Sequence, residues 1–315
     1  MGHSTRDDWR HCRAWGPFVK RLAFASVVAL SAASGCSSDG AVATVEGAAI
    51  APDALEQLHP AGSEVDADER ASSLLLLILH RLLVRSAEDE FGFSVTREAQ
   101  QEAFAVRTDR FGSDVDAALK ARGMTRARVL LEADLDVVRA ELEERLVRAG
   151  VPGLDVDAAY RTFLSVNSHV CLSALRVSDS SIVAAVEELV DEGADVDGVE
   201  DAYPDGVERL EVECASPAQL APGLASVALD GEVGDVHVAR SGPGLFVAAV
   251  DQRDAAPVDA VRDEVLQIAA ETQGPKLFNA WAADILRAAD VDVADSIGRW
   301  APAEGTNGIP TVLAN

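Results

Sequence analysis

The run "HVCLSALRVSD" (169–179) places a histidine, a cysteine and a serine close together. Its alternation of apolar and polar positions has the period of a strand. Side chains two positions apart on one strand face stand about 7 Å from each other. His169 is therefore too far from Cys171 to act as its base, and His237 belongs to a different strand candidate, "DVHVAR". Neither CxxC nor HxxxH spacing occurs, so zinc is not expected, and no metal or other cofactor is assigned. The stretch "DVDGVEDAYPDG" (195–206) has part of the acidic spacing of a calcium loop, but it lacks the fifth-position ligand and its glycine comes early. A phosphate-cradling glycine loop and a G-x-S-x-G elbow are also missing from the sequence. Cys171 stays open as nucleophile, ligand, crosslink or filling until its compartment is known.

The N-terminus speaks to that compartment. Lys20 and Arg21 precede "LAFASVVALSAAS", a basic start followed by a short apolar run, as in a secretory signal. The run is too short to span a bilayer, which takes about 20 residues. "AASGC" followed by "SSDG" resembles the lipobox of bacterial lipoproteins, with Ala33 where that pattern prefers leucine. On that resemblance residues 1–35 are the signal, and Cys36 is lipidated and becomes the new N-terminus. The polar residues 1–18 also suggest a start placed too far upstream. The expected location is extracytoplasmic, with a lipid anchor in the bacterial cell membrane.

The whole chain carries 53 acidic against 27 basic residues, a net charge of −26. The signal holds five of the basic residues and only two of the acidic ones, so the remainder is still more acidic. Such a surface repels phosphate backbones, and nucleic acid is not an expected partner. Of four cysteines, Cys12 lies in the signal and Cys36 is claimed by lipid. Cys171 and Cys214 are left in an oxidising compartment, where pairs persist.

The elements that must position these residues fall into three stretches. "AVATVEGAAI" (41–50) reads as a strand with a glycine turn. Residues 66–92 predict a long helix ending at Gly92; its run Leu74–Leu79 is too short for a membrane and too closely flanked by charge. Shorter helices follow at 96–111 and 113–122. Thr125 caps a long helix whose Leu131, Leu135, Val138, Leu142 and Leu146 share a face. From Ser168 the texture becomes β-α-β-(short helix)-β-β, with strands at "HVCLSALRV", "ERLEVEC", "DVHVAR" and "GLFVAAV". After Pro257 helix returns, broken at Gly274-Pro275, and the last fifteen residues read as loose. Neither helical flank can cover its own apolar face, so the two should pack on each other.

This order resembles the extracytoplasmic foldases of the SurA and PrsA type, in which a helical chaperone domain carries a parvulin-type peptidyl-prolyl isomerase domain. The resemblance is residue-specific in "AAVEELVDEGADVDGVEDAY" (184–203) and in "SPAQLAPGLASVALDGEVGDVHVARSGPGLFVAAVDQR" (216–253). It implies an α+β fold: a discontinuous, mostly helical domain built from residues 36–167 and 255–295. Between them, residues 168–254 would form a parvulin-like four-stranded antiparallel sheet, and 296–315 a flexible tail. It also sets the strands of Cys171 and Cys214 side by side, so the two are expected as a disulfide, the alternative being two buried free thiols.

The departures from the family carry the functional reading. Active parvulins place a histidine in the first strand and another in the last. Here Ser173 and Phe246 stand at those positions. Asp205 is the remaining candidate for the family's third polar group, and Leu220, Leu224, Val227 and Phe246 would line the peptide pocket. A membrane-tethered folding factor that binds unfolded secreted polypeptides, with little or no isomerase activity, is the expected function. An active isomerase working through Ser173 and Asp205 is the first alternative. A non-catalytic interaction lipoprotein with a fixed partner is the second.

Overall fold

The computed structural model describes residues 40–212, 214–241, 244–301 and 311–314. The expected signal, the lipobox and Cys36 lie outside the described residues. The chain opens with strands β1 (Ala43–Val45) and β2 (Ala48–Ile50), paired antiparallel. Their turn puts Glu46 and Gly47 at φ 51° and 74°, the twist that suits a two-residue hairpin. Helix α1 (Pro52–Glu56) follows, then α2 (Ala67–Phe91), capped by the Asp66 carboxylate, which accepts from the Glu69 amide at 2.8 Å. Gly92 ends α2 in the left-handed region at φ 62°. Helices α3 (Arg97–Thr108), α4 (Val115–Lys120), α5 (Arg126–Arg148) and α6 (Val156–Asn167) each begin at a Thr or Asp cap.

Strand β3 (His169–Val177) continues directly from α6. It is followed by α7 (Val183–Asp191), α8 (Val196–Ala202), β4 (Val207–Leu210), α9 (Pro222–Asp230), β5 (Val236–Ser241) and β6 (Gly244–Asp254). The four strands form one antiparallel sheet in the order β4-β3-β6-β5. Helix α10 (Arg262–Ala288) then leads to β7 (Val291–Val293), β8 (Gly298–Ala301) and β9 (Thr311–Ala314).

The two ends of the chain share their cores. In the first core Val45, Leu74 and Ile78 meet Leu286, Val293 and Ile297, and β7 completes the β1–β2 sheet. In the second, Val138, Leu142 and Leu146 of α5 meet Val265, Ala269 and Leu277 of α10. The fold is thus α+β: helices from both chain ends, with a four-stranded antiparallel sheet unit inserted between them.

Three local expectations are corrected. Helix α10 runs through Gly274-Pro275 without ending. Proline removes one helical hydrogen bond there, but burial of Val265, Leu277 and Phe278 on both sides of it holds the helix in one piece. Gly274 is needed for packing, since a Cβ at that position would lie 2.9 Å from the Glu143 Cβ of α5. "ERLEVEC" is a strand only as far as Leu210; pairing with β3 returns at Val170–Ala215, with one more residue on this side than on β3. Residues 311–314, expected to be loose, form β9, which pairs with β8, and Val312 is buried in the first core beside Ile297.

Candidate functional site

Strand residues alternate between two packed faces of the four-stranded sheet. Leu175 and Val177 of β3, with Leu245 and Val247 of β6, pack under α7 and α8. Val170, Leu172 and Ala174, with Ala248 and Val250, pack under α9. Each candidate residue can be placed on this map.

Ser173 stands on the α7/α8 side, paired with Ala249. Its hydroxyl donates to Asp251 Oδ2 at 2.8 Å. Phe246 stands on the α9 side, against Gly223 of that helix. The structure therefore does not bring Ser173 and Phe246 together, since the sheet lies between them. The β3 residues that share Phe246's face are Val170, Leu172, Ala174 and Arg176; Arg176 pairs with it directly, and Ala174 pairs with Ala248. The positions assigned to the family's two histidines thus lie on opposite faces of the sheet. A slip of one residue reverses the face of a strand side chain.

Asp205 is exposed in the turn after α8. The neighbouring Gly206 carbonyl accepts from the amides of Ser178 and Asp179 at 3.0 and 3.3 Å. That turn sits beyond the end of β3, roughly 16 Å of strand from Ser173, so these two groups do not form one site either. Beside the turn, the amide of Ser181 donates to Asp179 at 2.8 Å and, with the Ser181 hydroxyl, holds that carboxyl below its usual range.

The four pocket candidates do converge. Leu220, Leu224, Val227 and Phe246 belong to one apolar cluster on the α9 side. Leu224 and Val227 are only 4% and 5% exposed and Ala174 and Ala248 are fully buried, so most of the place is filled by the protein itself. Leu220 and Phe246 stay half-exposed at its edge.

His237, expected in the strand candidate "DVHVAR", pairs with Ala248 and so continues the row Leu210–Ala174–Ala248 across the sheet. Its Nε2 is buried without a hydrogen-bond partner, beneath Gly231 at the end of α9. No motif marked it, because its place depends on register alone.

Cys171 and Cys214 form a disulfide, with S–S 2.01 Å and Cα–Cα 4.1 Å. It fastens the chain to β3 where regular β4 pairing has stopped. The acidic stretch 195–206 is spent on local structure: Asp195 caps α8 by accepting from the Gly198 amide at 2.7 Å, and Asp197 and Glu200 pair with Arg209. Among the described residues no group of three or more His, Cys, Asp or Glu is placed to hold a metal ion. No helix among them is long and apolar enough to cross a membrane.

No protein-family model matches the chain, and no curated protein matches it. Solved structures similar to it are PrsA foldases and SurA-like chaperones. The peptidylprolyl isomerase PrsA of Bacillus cereus is 16% identical, with 83% of this chain and 96% of that one covered and a TM-score of 0.46. The foldase protein PrsA of Lactococcus lactis is 14% identical over 81% and 95%, with a TM-score of 0.39. One of two SurA-like chaperones of Campylobacter jejuni is 13% identical over 81% and 99%, with a TM-score of 0.30.

Proposed function

We propose that this protein is a membrane-tethered, extracytoplasmic folding factor that holds unfolded secreted polypeptides and has little or no prolyl isomerase activity. The helical segments 36–167 and 255–295 would form the body and 168–254 a degenerate parvulin-like unit. The tether is the lipid on Cys36, and this rests on the sequence "AASGC" alone.

One observation carries the reading. On the sheet face that holds Phe246, the opposed pair is Ala174 and Ala248, both fully buried. Prolyl isomerisation forms no covalent bond; it lowers a rotation barrier of about 20 kcal/mol. Doing so calls for an open apolar pocket and polar groups set around the amide carbonyl. Alanine and phenylalanine side chains offer no such group; of the polar residues on that face, Arg176 is exposed and paired with Glu208 and His237 lies beneath Gly231, and the pocket is largely closed. The half-exposed Leu220 and Phe246 can still contact an apolar chain, and the acidic surface keeps a protein with such patches soluble.

Two assays test this. In a protease-coupled assay on a proline peptide the protein should not exceed the rate in buffer. In a second, it should suppress aggregation of an unrelated unfolded protein. A clear isomerisation rate would favour the active enzyme instead. Failure to protect several unrelated clients would favour an interaction lipoprotein with one fixed partner.

A further inference from the structure

A cleft of about 850 Å³ opens between α1, the loop joining α1 to α2, and Ile297 before β8. Pro52, Leu55, Pro60, Val65 and Ile297 supply apolar wall, and His59 lies among them. Leu55 and Ile297 are buried beneath it. Ligand clefts commonly measure about 300–1,000 Å³ and combine apolar walls with a few placed polar groups, so size and lining both fit.

His59 is the anomaly in that wall. Its side chain is only 7% exposed, and neither ring nitrogen has a hydrogen-bond partner. Nδ1 stands 3.5 Å from Glu69 Oε1, and Nε2 has nothing. A polar group closed off from water without a hydrogen bond destabilises the fold, so a group that reached it from the cleft would be bound the more tightly. A neutral imidazole offers one donor and one acceptor. A peptide unit offers the matching acceptor and donor. The rim carries Asp53, Glu56 and Arg70, charges of both signs, which disfavours a strongly charged ligand.

We infer that this cleft binds a short, extended, uncharged stretch of polypeptide. One aliphatic or proline side chain enters between Pro52, Leu55, Pro60 and Val65, while His59 meets one peptide unit. The inference rests on the reading that the protein holds unfolded polypeptides, and adds where and which kind of segment.

The test uses the intact chain and a fluorescein-labelled nonapeptide, blocked at both ends, that alternates serine with leucine, valine and proline. Two variants are compared with the parent: His59→Phe, which keeps the ring but removes both nitrogens, and Ala61→Trp, which fills the mouth from an exposed position. Each should weaken peptide binding about tenfold or more, and addition of peptide should shift the His59 ring nitrogen resonances of the parent. Should His59→Phe fail to fold, Ala61→Trp decides. Unchanged affinity in both variants, with aggregation suppression intact, would overturn the cleft while leaving the folding-factor reading in place. Tighter binding of dodecanoate than of the peptide would also overturn it. Loss of aggregation suppression in the parent itself would instead remove the reading beneath it.

Discussion

The Ser173 hydroxyl donates to the Asp251 carboxylate at 2.8 Å on the α7/α8 side of the sheet, with Phe246 on the opposite side. Ser173 is thereby a strand-to-strand tie. Replacing it with alanine should leave proline-peptide isomerisation at its parent level and reduce stability by about 1 kcal/mol, the usual net value of one hydrogen bond. Measuring both on one preparation checks the assignment. A rate above buffer that vanishes in Ser173→Ala would restore the serine as a catalytic group.

The Cys171–Cys214 bridge closes a loop with a sequence separation of 43. In the chain-entropy model that contributes about 4 kcal/mol. Urea unfolding of a Cys171→Ala, Cys214→Ala double variant should show a loss of that order. Thiol-specific alkylation of the denatured, unreduced parent should leave both cysteines unlabelled, and labelling of both would contradict the bridge.

Gly274→Ala should be costly although alanine is the better helix former. Its Cβ would lie 2.9 Å from the Glu143 Cβ and 3.3 Å from the Glu143 carbonyl oxygen. Overpacking of this kind costs about 1–3 kcal/mol. Thermal unfolding should show a lowered midpoint, whereas a raised one would mean that α5 and α10 part easily.

Leu224 and Leu220 should separate stability from client holding. Leu224 is 4% exposed in the α9-side core, so Leu224→Ala should cost about 2–5 kcal/mol. Leu220 packs at the edge of that core and is half-exposed. Leu220→Ala should cost less stability and still reduce aggregation suppression. Equal protection by parent and Leu220→Ala would place client contact elsewhere.

Asp179 gives a pH dependence with a definite sign. The Ser181 backbone and side chain lower its folded carboxyl below the ordinary value near about 3.9. The stabilisation is present above the unfolded value and is lost as pH falls through the lowered folded one. In Asp179→Asn that part of the acid sensitivity should disappear, read as a shallower fall of the unfolding midpoint below pH about 4. An unchanged acid profile would show that the Ser181 contacts do not favour the charged form.

Much of the architecture was legible because it rests on local pattern. The caps at Asp66, Thr125 and Asp155 and the stop at Gly92 are short-range signals, and the inserted sheet has the strand order β4-β3-β6-β5. Gly274-Pro275 misled because proline and glycine punctuate helices in isolation, while α5 packing overrides that preference here. The site was harder to read for a geometric reason. Ser173 and Ala174 are neighbours in sequence yet stand on opposite faces of the sheet, a difference that spacing alone does not show. His59 and His237 carried no motif at all; their buried ring nitrogens without hydrogen bonds exist only in three dimensions.

Sharing of cores between the chain's two ends has a consequence in time. The first core needs Leu286, Val293, Ile297 and Val312 before Val45, Leu74 and Ile78 can be fully covered. A chain that emerges from its N-terminus delivers those partners last. The sheet unit from β3 to β6 gathers its contacts within a contiguous stretch and can close first, whereas the leading helices must wait with apolar surface uncovered. During synthesis the protein is itself for a time the kind of chain it is proposed to hold.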